Sequence, residues 1–140
     1  MKIGFVFPGQ GSQAVGMLDS FEGNDAVAEA LREASAALGR DVGALIRSGP
    51  AEELSLTVNT QPVMLAAGYA VYRAWRAAGG AQPAVVAGHS LGEYTALTAA
   101  GALSLADAVK LVRFRAQAMQ DAVPVGQGAM AAILGLSDEQ

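Results

Sequence analysis

Five consecutive residues, Gly88-His89-Ser90-Leu91-Gly92, have the types and the spacing for nucleophilic chemistry. A serine flanked at two positions on either side by glycine is the G-x-S-x-G pattern of a nucleophile elbow, which gains meaning when a strand enters it and a helix leaves it. Both neighbours are legible. Pro83-Ala84-Val85-Val86-Ala87 is apolar, has two β-branched residues and reads as a buried strand. Leu91 to Ala100 is rich in Ala and Leu and reads as a helix. The turn between them must be tight, so a Cβ at Gly88 or Gly92 would crowd backbone against backbone. The Ser90 hydroxyl then projects beside a helix N-terminus, whose unsatisfied N–H groups favour negative charge. That suits attack on a carbonyl and stabilisation of the oxyanion that follows. The bland alternative is a turn serine, because the pattern arises by chance in a chain with 17 glycines. The strand and helix around it favour the elbow.

The elements that must position this turn can be placed around it. Ile3 to Phe7 reads as a first strand, apolar throughout as central strands of α/β proteins are. Pro8-Gly9-Gln10-Gly11-Ser12-Gln13 is a loop. Asn24 is a candidate N-cap for a helix to about Leu38, ended by Gly39. Val27, Leu31, Ala34 and Leu38 give it one apolar face. Val42 to Ile46 is a further short helical piece. Thr57 to Gln61 is polar, and Pro62 is expected in the first turn of a helix that runs to about Ala78 and stops at Gly79-Gly80. Ser104-Leu105-Ala106-Asp107 fits a capping box before a helix over roughly Leu105 to Ala122. Gly128 to Leu136 reads as a strand. Ser137 to Gln140 is a second capping box with no helix after it, so the chain is expected to be the N-terminal piece of something longer.

Composition excludes several classes. The 140 residues are 52% hydrophobic and 16% charged, which is enough for one domain with a core and too apolar for disorder. The net charge of −4, with no basic cluster, argues against nucleic acid. No cysteine and a single histidine exclude disulfides, thiolate chemistry and Cys- or His-rich metal sites. The N-terminal apolar stretch is too short for a signal-peptide core. Pro62 to Ala78 carries Arg73 and Arg76 and is too short and too polar to span a bilayer. The expectation is a cytoplasmic protein with no membrane partner.

Three segments together carry a resemblance: Phe7-Pro8-Gly9-Gln10-Gly11-Ser12-Gln13, Gly88-His89-Ser90-Leu91-Gly92-Glu93-Tyr94, and Arg115-Ala116-Gln117-Ala118-Met119-Gln120. The chain resembles the malonyl-CoA:acyl carrier protein transacylases of fatty-acid synthesis and, more broadly, the acyltransferase domains of polyketide synthases. The resemblance runs over all 140 residues in order. It implies an α/β-hydrolase-like core with a mostly parallel sheet and an inserted ferredoxin-like subdomain. Residues 1–123 would belong to the core, and 124–140 would hold the first strand of the insertion, cut short. The implied reaction is ping-pong: a serine takes malonyl from malonyl-CoA and gives it to the phosphopantetheine thiol of acyl carrier protein. No metal or bound cofactor is implied; the coenzyme A thioester is a substrate.

The resemblance also assigns residues. Ser90 matches the nucleophile. Gln10 and Leu91 match the oxyanion hole through their backbone N–H groups, and the glycines around Gln10 let its loop approach closely. Arg115 matches the group that binds the malonyl carboxylate, a task suited to a bidentate guanidinium. Leu111, Arg115 and Met119 share one helix face. Lys110, Arg113 and Gln117 share a more polar one, which makes Arg113 the candidate solvated residue. His89 would face away from Ser90, since adjacent side chains of an extended segment point to opposite sides. His89 and Met119 are read as supporting pocket residues, with a plain structural role for His89 left open. Glu93 suits the helix dipole of the first turn rather than catalysis. The family's base is a second histidine further along, absent here, so these 140 residues alone are expected to be inactive. The competing readings are a serine hydrolase or thioesterase with the same elbow, and a non-catalytic domain that only binds a carrier protein.

Overall fold

The computed structural model describes residues 2–123 together with Gln127 and Gly135. The expected strand over Gly128–Leu136 and the capping box after it lie outside the described residues. Two four-residue strands, β1 (Gly4–Phe7) and β2 (Val85–Gly88), pair in parallel with Phe7 opposite Gly88. Between them the chain runs through a 3-10 turn (Asp19–Phe21) and four helices: α1 (Asp25–Leu38), α2 (Val42–Ser48), α3 (Ala51–Leu54) and α4 (Thr57–Ala77). After β2 come α5 (Leu91–Ala99) and α6 (Leu105–Ala122). The fold is therefore mixed α/β, mostly helical, with a small parallel sheet among the described residues.

Local sequence explains the helix ends. The Asn24 side chain accepts from the Val27 N–H at 3.1 Å, and Gly39 closes α1 in the left-handed region at φ 65°. Ser104 Oγ caps α6 by accepting from Asp107 N–H. The Asp107 carboxylate accepts from that same hydroxyl at 2.7 Å, so the box closes through side chains.

α4 lies at the centre and packs against α1, α5 and α6. Leu65, Ala66 and Ala70 of α4, Ala34 of α1, and Val109 and Val112 of α6 are fully buried together. Small residues at these crossings let the helix axes approach, and the removed apolar area supplies the main driving force. Phe7 of β1 packs with Tyr72 of α4 and Ala96 and Ala99 of α5, which fixes the sheet against both helices.

Two sequence expectations need correction. Neither strand is buried on both faces: Val6 is 80% and Val85 63% exposed. Phe5, Phe7 and Val86 point to the helix-covered face, and Val6 and Val85 to the other, which no described element covers. And Pro62 is not in the first turn. α4 begins five residues earlier, at Thr57, with Pro62 inside it. The polar stretch expected to precede the helix is part of it, and its side chains are satisfied internally. Thr60 Oγ1 donates to Leu54 O at 2.6 Å, and Asn59 Nδ2 to Glu53 O at 2.8 Å. Such pairing removes the penalty of burying them.

Candidate active site

The parallel pairing of β1 and β2 brings the loops after both strands to the same edge, the carboxyl end where α/β sheets present their ligand sites. The elbow is as tight as the sequence demands. A Cβ on Gly88 would lie 2.1 Å from the Gly92 carbonyl, and one on Gly92 would lie 2.2 Å from Phe7 O. Ser90 takes φ 53° and ψ −114°, the one positive φ outside glycine among the described residues. A serine held there carries backbone strain that the surrounding packing must maintain. Its side chain is exposed at the head of α5.

Two amides near Ser90 are left available. Gly92 and Glu93 donate to His89 O and Ser90 O, at 2.9 and 3.2 Å. The Leu91 N–H, between the serine and those amides, has no backbone or side-chain acceptor among the described residues. The Gln10 N–H likewise has none. Gly9 brings the Gln10 loop onto the elbow, since a Cβ there would sit 3.3 Å from His89 O. Gln10 Nε2 donates to Thr57 Oγ1 at 3.1 Å, tying that loop to the start of α4.

Arg115 reaches the serine from α6. Its Nη2 donates to Ser90 Oγ at 3.0 Å, and its Nη1 to Gln61 Oε1 at 2.7 Å. The Tyr94 ring lies 5.8 Å from its Cζ, within cation–π range. Gln61 is fully buried, and its Nε2 points to Met119 Sδ at 3.4 Å. Sequence reasoning missed Gln61. The signal was Thr57 and Gln61, one turn apart in a polar stretch that opens a long apolar helix. Thr57 holds the Gln10 loop and Gln61 holds Arg115, so one face of α4 braces both sides of the elbow.

The other expected residues divide. Met119 touches the site through Gln61. His89 is exposed, its carbonyl is used by Gly92, and its side chain makes no hydrogen bond among the described residues. Glu93 sits in the first turn of α5. Arg113 is exposed, as expected of a surface residue, and also bonds α4: it donates to Val58 O at 2.7 Å and Asn59 Oδ1 at 3.1 Å. Among the described residues, no group of acidic or histidine side chains could hold a metal ion, and no helix is long and apolar enough to cross a membrane.

An α/β protein with a strained serine on a strand-to-helix elbow, an arginine at that serine and two available amides beside it has the parts of an acyl-group-handling site. The chain belongs to the acyl transferase family, whose domain model matches residues 4–140. It is 58% identical over 138 residues to the malonyl CoA-acyl carrier protein transacylase of Escherichia coli (strain K12), covering 98% of this chain and 45% of that protein. An acyl-carrier-protein S-malonyltransferase from Burkholderia pseudomallei 1710b superimposes with a TM-score of 0.94 at 70% identity, over 99% of this chain and 45% of that one. A malonyl-transacylase solved in complex with its type II PKS acyl-carrier protein matches with a TM-score of 0.85 at 48% identity, over 89% of this chain and 40% of that one. The chain thus spans less than half the length of these relatives.

Proposed function

We propose that this chain forms the nucleophile-bearing part of a malonyl-CoA:acyl carrier protein transacylase of fatty-acid synthesis. The observation that carries the reading is the 3.0 Å contact between Arg115 Nη2 and Ser90 Oγ. Malonyl differs from acetyl by one carboxylate, set one methylene from the thioester carbonyl. A guanidinium adjacent to the attacking oxygen suits that spacing, and a simple esterase has no need of it.

In this reading Ser90 Oγ attacks the thioester carbon of malonyl-CoA. The C–S bond breaks, coenzyme A leaves as its thiol, and malonyl remains as an ester on Ser90. The phosphopantetheine thiol of acyl carrier protein then attacks that ester and restores the serine hydroxyl. The Leu91 and Gln10 N–H groups receive the oxyanion in both halves. Arg115 binds the distal carboxylate throughout, with His89 and Met119 as supporting pocket residues. No metal or bound cofactor takes part. In this reading the Ser90 proton passes to the second histidine that the family resemblance implies, and from it to the departing coenzyme A sulfur; the His89 side chain makes no hydrogen bond to Ser90 among the described residues.

The same reading places residues 1–123 in an α/β-hydrolase-like core and 124–140 at the start of a ferredoxin-like insertion, in a cytoplasmic enzyme. The test is covalent. The native enzyme, mixed with malonyl-CoA without carrier protein, should gain one malonyl group, mapped by peptide mass to Ser90. Ser90→Ala should abolish it. An adduct that survives in Ser90→Ala sinks the assignment.

A further inference from the structure

The groups that hold Arg115 are all neutral: an amide oxygen from Gln61, a hydroxyl oxygen from Ser90 and the face of Tyr94. Two other arginines among the described residues are instead paired with carboxylates. Arg40 bonds Glu53, and Arg73 bonds Glu29 and Glu33. Arg115 has no carboxylate within salt-bridge distance among the described residues. We propose that Tyr94 is a positioning residue for acyl-group selection: its ring holds the Arg115 guanidinium at Ser90 without cancelling the charge that reads the substrate carboxylate.

Geometry favours Tyr94 for this task. It lies four residues after Ser90 on α5, so one helical turn separates platform and nucleophile. The same rigid element therefore fixes the distance between the two. Tyr94 is itself constrained, half-buried against the main core through contacts of its side chain. A π face attracts a cation through its quadrupole and carries no net charge. An aspartate or glutamate at that place would hold the guanidinium as firmly, but would compete with the substrate carboxylate for it. Gln61 follows the same logic: its amide oxygen accepts one N–H and leaves the formal charge intact.

The proposal rests on the malonyl-transfer reading, and the experiment separates the two. In the native enzyme, kcat and KM for malonyl-CoA and acetyl-CoA are measured for wild type, Tyr94→Phe, Tyr94→Leu and Arg115→Ala. Tyr94→Phe keeps the ring and should hold the malonyl-to-acetyl ratio of kcat/KM within about twofold of wild type. Tyr94→Leu keeps apolar bulk but removes the π face, and should lower kcat/KM for malonyl-CoA by about 3- to 30-fold, mostly through KM, with acetyl-CoA little changed. Equal losses on both substrates in Tyr94→Leu would mean a packing role alone and overturn the proposal. So would a Tyr94→Phe variant as poor as Tyr94→Leu, because the hydroxyl would then matter and not the ring. If Arg115→Ala collapses the ratio and Tyr94→Leu does not, the transfer reading stands and the Tyr94 proposal falls. If Arg115→Ala also leaves the ratio unchanged, both fall.

Discussion

Arg113 donates from Nη1 to the carbonyl oxygen of Val58, at 2.7 Å. Val58 is the residue four before Pro62, so its carbonyl is the acceptor to which an uninterrupted helix would send the amide of residue 62. Proline has no amide hydrogen to send. A guanidinium from α6 supplies the missing donor to α4 and also bonds Asn59 Oδ1. Arg113 and Arg115, two positions apart on α6, thus reach the same helix for different purposes. One completes its hydrogen bonding and the other is braced by Gln61 while it faces Ser90.

This makes Arg113 a stability residue whose effect depends on Pro62. Arg113→Ala in the native protein should cost about 1–2 kcal/mol in denaturant unfolding, since the bonds are charge-assisted but partly exposed. Pro62→Ala restores an amide that can donate to Val58 O. In the Pro62→Ala background the cost of Arg113→Ala should therefore shrink by roughly half or more. Full additivity of the two substitutions would show that the guanidinium does not stand in for the missing helix bond.

The elbow glycines should be irreplaceable on steric grounds. Gly92→Ala would set a Cβ 2.2 Å from Phe7 O, against backbone that cannot rotate away. The expected loss is at least about 3 kcal/mol of stability, because relief requires separating β1 from the elbow. Gly39→Ala is the comparison: φ is 65° there, but nothing lies within 4 Å of the added Cβ. It should cost only about 1–2 kcal/mol, the strain of a left-handed alanine. Similar midpoints for the two variants in a denaturant titration would contradict the close approach.

Tyr69 offers a check on alkaline stability. Burial pushes its phenol above the ordinary tyrosine value of 10.0, against a smaller opposing effect from Arg73, with Glu33 and Tyr72 also raising it. The unfolded chain then loses this proton at lower pH than the folded one. The contribution to stability is complete below about pH 10 and is lost as pH rises through the raised folded value. Tyr69 makes no hydrogen bond through its hydroxyl among the described residues, so Tyr69→Phe should be tolerated. The variant should lose stability less steeply than wild type as pH rises above about 10, read from melting midpoints. Parallel alkaline slopes would remove Tyr69 from the account.

The elbow was legible in the sequence because its constraint is local: strand, glycine, serine, glycine and helix are contiguous, and only glycine admits the backbone approach at Gly88 and Gly92. The caps at Asn24 and Ser104 were legible for the same reason. What escaped was set by distant partners. Thr57 to Gln61 reads as preceding the helix because its polar composition does not show that Leu54, Glu53 and Arg115 satisfy its side chains. Pro62 looked like a helix start because the donor that tolerates it inside α4 lies about 50 residues away, at Arg113. Helix periodicity separated Arg113 from Arg115 correctly as two faces of α6. It could not show that the outer face meets another helix. Val6 and Val85 read as buried because apolar composition does not say which strand face is covered.

The two arginines give the sharpest functional contrast. Removing the partner of a desolvated carboxylate typically costs about 2–5 kcal/mol, or roughly 30-fold and upward in kcat/KM. Arg115→Ala should therefore lower malonyl-CoA transfer by at least that factor. It also leaves the Gln61 amide oxygen without its donor in a fully buried position, so some loss of stability and of general activity is expected. That part strikes acetyl-CoA equally and cancels in the malonyl-to-acetyl ratio of kcat/KM, which is why the ratio is the quantity to measure. Arg115→Lys keeps the charge but has no planar fork, so it cannot bond Gln61 and a carboxylate in parallel. It should recover only a small part of the ratio. Arg113→Ala, despite its stability cost, should leave the ratio near wild type, because its guanidinium is occupied by Val58 and Asn59. If the ratio falls in Arg113→Ala and holds in Arg115→Ala, the carboxylate is read from the wrong face of α6 for this mechanism. The contact between Arg115 and Ser90 would then play no part in selecting the acyl group.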